Sequence, residues 1–238
     1  MTPTPHYSLV VPFYNEAGNI LPLTTSAVEV LNQLGRAYEI ILVNDGSTDA
    51  TAEEIAACTA RWPRCRALHH PRNLGQATAL LDGLRAAHGE IILAMDGDGQ
   101  NDPRDFPLLI APVEAGTLDV ACGWRHDRHD SWLRRKMSRI ANVVRGRVLG
   151  DHLHDSGCQL RAMRREVVVA LFPFELLQSF LPAIAIAAGF RVGEFRVRHH
   201  PRTHGEAKYG LRQLWLRPTL AMFRLRRRLP PVPATPRM

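Results

Sequence analysis

The chain has 238 residues, of which 45% are hydrophobic and 22% charged, a composition that is ordinary for a folded soluble protein and argues against a disordered one. Its four cysteines form no C-x-x-C pair, which excludes a zinc-ribbon spacing and predicts reduced, buried thiols in a reducing compartment. The N-terminus has no signal-peptide pattern, and no run of about twenty apolar residues predicts a membrane-spanning helix.

Charge is distributed unevenly along the chain, whose net charge is +7. Residues 191–238 contain 12 Lys or Arg and only 2 Asp or Glu, and a second basic cluster lies at 125–147. Such asymmetry suggests an anionic partner, either nucleic acid or an anionic membrane surface, although a solvated basic tail would give the same count.

The first half of the chain alternates between short apolar runs and segments with helical spacing. The runs Ser8–Pro12, Glu39–Asn44, Arg66–His70, Glu90–Asp96 and Leu118–Trp124 are predicted strands, because continuous apolar runs of this length fit strands buried on both faces. The segments Ile20–Leu34, Thr51–Ala60 and Ala77–Ala87 are predicted helices. This alternation predicts an α/β fold with a mostly parallel, doubly wound sheet flanked by helices.

The second half is less regular. Predicted helices cover Leu133–Leu149, Arg164–Leu177 and Leu181–Ala188, and Phe190–Arg198 is a predicted strand. A final arginine-rich helix over Gln213–Leu229 is expected to be interrupted at Pro218. One domain is therefore expected over residues 1–211, followed by a basic amphipathic helix at 212–229 and a disordered tail at 230–238.

Polar segments follow each of the first four predicted strands: FYNE, DGSTD, PRNLGQ and GDGQND. In doubly wound sheets ligands bind outside the carboxyl ends of the strands, so these segments are expected to converge on one site.

The segment Asp96-Gly97-Asp98 within GDGQND carries the clearest chemistry. Two carboxylates separated by one residue repel each other and favour a divalent cation, and oxygen ligands suit Mg²⁺ or Mn²⁺. An Asp/Gly-rich turn without a ligand would have the same composition. Paired histidines such as His69-His70 and His199-His200 suggest zinc only weakly, because no structural-zinc spacing accompanies them.

Taken together, VVPFYNEAGNI, ILVNDGSTD, HHPRNLGQATAL, AMDGDGQNDP and CGWR closely resemble the family 2 glycosyltransferases, which have a GT-A fold. The segments HDSGCQLRAMRRE and PRTHGEAKYG resemble the branch that transfers sugars to polyprenyl (dolichyl-type) phosphates. The resemblance covers roughly residues 7 to 211.

The resemblance implies a role for each matching residue. It assigns the nucleotide to Asp45, Asp96, the first loop (Pro12, Tyr14, Asn15, Glu16) and the third loop (Arg72, Asn73, Gly75). It assigns the metal to Asp96 and Asp98 and the acceptor phosphate to Arg125, Arg202 and Lys208. Its catalytic residues would be Asp98, Gln100, Arg125 and Arg202.

The function implied is an inverting hexosyltransferase that moves a sugar from a GDP- or UDP-sugar to a polyprenyl phosphate. Such an enzyme is expected to lie peripherally at the cytoplasmic face of the membrane, held by its basic helices or by a membrane-protein partner. Two alternatives stay open. A hydroxyl acceptor would require a carboxylate base, for which Asp155 is the first candidate; a non-catalytic protein would use the basic segment to bind nucleic acid, which the acidic pair argues against.

Overall fold

A computed structural model describes residues 4–125, 143–201 and 216–231. Arg202 and Lys208, most of the predicted helix at 133–149 and nearly all of the tail lie outside these residues. The described strands are β1 Tyr7–Phe13, β2 Tyr38–Asn44, β3 Cys65–His69, β4 Ile91–Ala94, β5 Val120–Arg125, β6 Arg161–Arg164 and β7 Val192–Val197.

The described helices lie between these strands and at the C-terminal end. They are α1 Ile20–Gln33, α2 Thr51–Arg61, α3 Gln76–Ala86, α4 Phe106–Glu114, α5 at 143–149, α6 Arg165–Val169, α7 Leu177–Ala187 and α8 Leu216–Arg228. None of the helices within the described ranges is long and apolar enough to cross a membrane.

The seven strands form one sheet in the order β3-β2-β1-β4-β6-β5-β7. All pairings are parallel except those of β6, which runs antiparallel to both β4 and β5. The predicted mostly parallel α/β sheet is confirmed. The antiparallel β6 was not predicted, because it has only four residues and an arginine at each end, so it carries no strand periodicity of its own.

Each face of the sheet is covered by its own set of helices. One core contains alternate strand residues such as Val10 and Ile41 with the apolar sides of α3, α7 and α8. The other contains Leu9 and Ile40 with those of α1, α2 and α4. Strands β1, β2 and β4 are therefore buried on both sides, as their continuous apolar runs indicate, whereas β3 and β7 at the sheet edges are only partly buried.

Three predictions about the second half were wrong in detail. The expected helix Arg164–Leu177 is only the short α6, and the chain is irregular from there through Pro173, which cannot supply a helical N–H. Helix α7 begins at Leu177 rather than Leu181. Pro218 does not interrupt α8, because it lies in the first turn, where its missing N–H costs nothing.

The described part of the helix predicted at 133–149 is helical but faces the other way. Val143 and Val144 were expected on its apolar side, yet they are 55% and 43% exposed. Arg145 is buried instead, 2.8 Å from the carboxylate of Asp151. A buried ion pair thus replaces the aliphatic contact, and desolvation lowers the pKa of Arg145.

Candidate functional site

The loops that follow β1, β2, β3 and β4 meet at one edge of the sheet, because these strands are neighbours in the order β3-β2-β1-β4. Hydrogen bonds link each loop to the next. The backbone N–H of Asp45 donates to the carbonyl of Phe13 (2.9 Å), and that of His70 donates to the carbonyl of Asn44 (2.9 Å). The structure therefore brings together the four polar segments that the sequence separates.

Asp45, directly after β2, is 2% exposed and holds the loop after β3. The N–H groups of Leu74 and Gly75 donate to its two carboxylate oxygens at 2.9 and 2.8 Å. Nδ1 of His70 lies 2.8 Å from Oδ1 of Asp45, and its Nε2 lies 3.3 Å from the carboxylate of Asp82. Asp45 is thus fully engaged by protein donors.

The first loop is fastened to the second. The N–H of Thr48 donates to Oδ1 of Asn15 (2.8 Å), and the N–H of Asn15 donates to the hydroxyl of Ser47 (3.0 Å). The N–H of Glu16 donates to Thr51 (3.0 Å). Pro12 and Tyr14 are half-buried beside these contacts. The loop is therefore ordered by the protein alone.

The third loop crosses directly over the second. Gly46 has φ +65, and a Cβ there would collide with the backbone of Arg72, so only glycine fits. The side chains of Arg72 and Asn73 are exposed at this crossing. Gly75 then begins α3 with φ +94, and no side chain caps the helix start.

Asp96 and Asp98 lie just beyond β4, where Met95 still pairs with Val10 of β1. A Cβ on the intervening Gly97 would collide with the ring of Phe13 and lie 2.8 Å from the carbonyl oxygen of Pro12. Glycine therefore lets the acidic segment press against the first loop. Asp98 is buried and accepts a hydrogen bond from the N–H of Gln100 (3.2 Å).

The acidic pair lies among both positive and negative charges, and the balance at Asp96 disfavours its ionised form. Burial, followed by the negative charge of Asp98, raises the pKa of Asp96 to about 7, although the charges of Arg125 and Arg161 and a hydrogen bond from Gln76 act in the opposite direction. A carboxylate whose ionised form is disfavoured in this way gains most when another positive charge is added.

A chain of amides leads from Asp96 into the interior. Nε2 of Gln76 donates to Oδ1 of Asp96 (2.7 Å), and Nε2 of Gln178 donates to Oε1 of Gln76 (3.2 Å). The guanidinium of Arg161 donates to the backbone carbonyl of Gln178 (2.6 Å), while its Nε and Nη1 are buried without a protein partner. Arg161 can therefore donate further hydrogen bonds from Nε and Nη1.

Arg125 ends β5 and is oriented by Asp155. Its Nε and Nη2 donate to the two carboxylate oxygens at 2.7 and 2.9 Å, and this pairing raises the pKa of the guanidinium against the opposing effect of burial. The backbone N–H of Asp155 is held in turn by Glu194 (2.9 Å). Arg125 is thus fixed within electrostatic range of Asp96.

The turn after Asp98 is joined to the segment that follows β7. The N–H of His200 donates to the carbonyl of Gln100 (2.9 Å), and its Nε2 lies 3.0 Å from the carboxylate of Asp102. Arg104 donates to both oxygens of Asp102, which with His200 holds the pKa of that carboxyl well below its usual range. Of the histidines considered for zinc, His200 therefore anchors the acidic turn, whereas His70 contacts Asp45.

A divalent cation fits the donor chemistry at this edge. No group of three or more His, Cys, Asp or Glu suited to a metal occurs in 4–125, 143–201 or 216–231. Mg²⁺ and Mn²⁺ do not require one, because they commonly take one or two carboxylates and complete their shell with phosphate oxygens and water. Asp96, with its raised pKa, and Asp98 offer that partial set.

Sequence reasoning missed Gln76, Gln178, Arg161 and Asp102 as members of the site. Gln76, Asp102 and Arg161 stood inside the recognised segments and carried a signal. Gln178 lies in an apolar helix, and only the packing of α7 on α3 brings it close to Asp96.

Comparisons with known proteins agree with this arrangement. A family model described as glycosyl transferase family 2 matches residues 8–172. The dodecaprenyl-phosphate galacturonate synthase of Rhizobium johnstonii is 38% identical over 86% of this chain and 62% of its own. The undecaprenyl-phosphate 4-deoxy-4-formamido-L-arabinose transferase of Edwardsiella ictaluri is 37% identical over 87% of this chain and 64% of its own. The chain thus spans less than two thirds of the length of these relatives.

Solved structures share the fold at lower identity. Glucosyl-3-phosphoglycerate synthase from Mycobacterium tuberculosis, in complex with Mn²⁺, UDP and glucosyl-3-phosphoglycerate, has a TM-score of 0.69 at 19% identity, covering 95% of this chain and 81% of that one. The mannosyltransferase of Pyrobaculum calidifontis with GDP-mannose and Mn²⁺ has a TM-score of 0.64 at 20% identity, covering 98% and 67%. The predicted GT-A fold is confirmed.

Proposed function

Because the chain belongs to glycosyl transferase family 2, we propose that it transfers a sugar from a UDP- or GDP-sugar to a polyprenyl phosphate, with Mg²⁺ or Mn²⁺ held by Asp96 and Asp98. The observation that carries the proposal is the acidic pair at the end of β4: burial and the charge of Asp98 raise the pKa of Asp96 to about 7, although the fixed cation Arg125 acts in the opposite direction. The relatives named for polyprenyl phosphates supply the acceptor class.

In this reaction an oxygen of the acceptor phosphate forms a bond to the anomeric carbon while the bond from that carbon to the diphosphate breaks. The leaving diphosphate gains negative charge, which a bound divalent cation stabilises. Arg125, held in place by Asp155, adds a fixed positive charge that needs no reorganisation during the reaction. Inversion at the anomeric carbon follows from a single displacement of this kind.

The acceptor phosphate needs no general base, because a phosphomonoester is already largely ionised at neutral pH, its second pKa being about 6. A hydroxyl acceptor would need one. Asp155, the candidate named for that role, has both oxygens bound by Arg125, so its position favours orienting the arginine over accepting a proton. This distinction supports the lipid phosphate over the hydroxyl acceptor.

The nucleoside is assigned to the edge formed by the first three loops. Pro12, Tyr14, Asn15 and Glu16 would border it, with Asp45 beneath and the exposed Arg72 and Asn73 beside Gly75. The hydrogen bonds within these loops support the assignment, because preordered loops lose little entropy on binding. Gln100, Arg202 and Lys208 stay predictions from the sequence.

A polyprenyl phosphate presents its phosphate at a membrane surface, so we place the enzyme peripherally at the cytoplasmic face. Helix α8 supports this placement, because Arg224, Arg226, Arg227 and Arg228 are all exposed. Each basic residue near an anionic surface contributes about 1 kcal/mol to binding. A membrane-protein partner is compatible with this arrangement, and no nucleic acid is required by it.

The proposal is tested with the purified chain, Mn²⁺, polyprenyl phosphate in detergent and a panel of radiolabelled UDP- and GDP-sugars. Label extracted into organic solvent is the expected result, and EDTA or the Asp98→Asn variant should abolish it. Label found only in a water-soluble glycoside would replace the lipid with a hydroxyl acceptor. Donor binding absent from the whole panel, measured by thermal shift with Mn²⁺, would overturn the function itself.

A further inference from the structure

A groove of about 1020 Å³ runs between α3 and α8 and is closed at one end by residues 173–178. Its size is that of a site for a sizeable ligand. Five of its lining side chains are arginines: Arg85, Arg217, Arg224, Arg227 and Arg228. All five are exposed along their helices.

The groove carries an excess of positive charge. Its lining contains two carboxylates, those of Asp82 and Glu175, and Glu175 is paired with Arg224 at 2.6 Å. Helix α3 begins in the same lining at Gln76, and the positive end of its dipole adds to the attraction for an anion, although the N–H of its N-cap residue Gly75 already donates to Asp45.

The groove also has an apolar lining. Leu74, Leu81, Phe174 and Leu176 contribute to it, and Leu176 does so with φ +60, a conformation that costs a leucine energy and persists only when its surroundings impose it. A groove that combines clustered arginines with aliphatic and aromatic surface suits an amphiphilic anion better than a free nucleotide or sugar.

The groove is connected to the acidic pair through a side chain of its lining. Gln76 and Gln178 both line it, and Gln76 donates a hydrogen bond to Asp96 (2.7 Å). A phosphate that enters the groove would therefore stand one side chain away from the carboxylate assigned to the diphosphate.

Helix α8 also exposes apolar side chains that do not line the groove. Leu220 is 56% exposed and Phe223 is 52% exposed, whereas Ala221, Met222 and Leu225 of the same helix are buried in the core. An apolar flank bordered by arginines is the pattern of a helix that lies in a membrane interface. The helix thus borders a lipid-compatible surface on one side and the arginine groove on another.

We propose that this groove binds the phosphate end of the polyprenyl phosphate acceptor, which enters from the membrane along α8 and is held there by Arg217 and Arg227. The inference rests on the proposed lipid acceptor. The proposed arginine site lies on the side of Asp96 formed by α3 and α8. It is separate from Arg125, which lies at the end of β5.

The test compares Arg217→Gln and Arg227→Gln with Arg226→Gln, a matched control on α8 whose side chain does not line the groove. Michaelis constants are measured for polyprenyl phosphate and for the donor in neutral detergent micelles, where attraction to an anionic surface is absent. Losing a charge-assisted hydrogen bond to phosphate should raise the KM for the lipid about tenfold in each groove variant. The donor KM and the melting temperature should stay at the control's values.

Two results would overturn the inference while leaving the proposed function intact. The first is a lipid KM equal to that of Arg226→Gln in both groove variants, with lipid product still formed. The second is an effect that occurs only on vesicles containing anionic phospholipid and disappears in neutral micelles, which would assign the arginines to the membrane surface. Failure of the wild-type chain to form any lipid product would instead overturn the proposed function.

Discussion

Two aspartates that follow strands on either side of β1, namely β2 and β4, have opposite surroundings. Asp45, after β2, receives two backbone N–H groups and the imidazole of His70. Asp96, after β4, accepts one hydrogen bond from Gln76, and burial together with the charge of Asp98 raises its pKa to about 7. The Asp45 carboxylate is therefore bound by the fold itself, whereas the Asp96 carboxylate would be stabilised by a further positive charge.

From this difference we infer that Asp45 has a structural role and that Asp96 has a chemical one. The side of the site around Asp45 is held by hydrogen bonds between its loops, and Nε2 of His70, which is buried there without a hydrogen bond, lies 3.3 Å from the carboxylate of Asp82. The side around Asp96 retains unpartnered buried atoms on Arg161 and Gln178 in addition to its acidic pair. A buried polar atom without a partner costs free energy, so we interpret this side as the one stabilised by ligand.

The largest expected effect comes from removing charge on the chemical side. Asp98→Asn preserves shape but takes away one of the two carboxylates, so Mn²⁺ binding in calorimetry should be lost. Transfer should fall by at least about 10²–10³-fold, the usual cost of removing one electrostatic stabiliser of a transition state. Normal activity in Asp98→Asn would contradict the chemical role of this side of the site, because the acidic pair would then not be needed for catalysis.

A smaller effect, on stability, is expected from the structural side. Asp45→Asn places an amide against N–H groups of Leu74 and Gly75 that need acceptors, so at least one buried donor loses its partner. The free energy of unfolding in urea should fall by about 1–3 kcal/mol without any ligand present. An unchanged unfolding midpoint would mean that Asp45 is not what holds the third loop.

The smallest expected effect is also the matched control for Asp45→Asn. Asp96→Asn in metal-free protein removes a carboxylate whose folded pKa is raised above its unfolded value. The folded wild type binds the proton more tightly than the unfolded chain, so the stability it derives from Asp96 falls as pH rises from about 4 to about 7. The variant should therefore melt at or above the wild-type temperature, with the larger advantage at pH 8 than at pH 5.

Thermal melts in EDTA at the two pH values measure this advantage. A variant that melts lower than wild type at pH 8 would show that Asp96, like Asp45, is a structural carboxylate, and the contrast between the two strands would disappear.

The first half of the fold was predictable because each strand carries its own signal. Apolar runs such as Glu39–Asn44 identify a strand buried on both faces wherever they occur, and the polar loops after them must then share one edge. The second half was less predictable, because β6 is four residues long and owes its place to β4 and β5. Arg145 likewise changed the facing of its helix through an ion pair with Asp151 that no local pattern encodes, whereas Pro173 is a local signal for the shorter helix.

The sequence by itself determined the α/β class, the family and the acidic pair, because periodicity and motif are local properties of the chain. Only the tertiary structure decided that Asp45 accepts hydrogen bonds on both oxygens while Asp96 accepts one from Gln76. It also decided that both oxygens of Asp155 accept from Arg125, and that Gln178 lies next to the site. These facts depend on which donors and charges lie within a few ångströms, and such distances are set by the packing of segments up to a hundred residues apart.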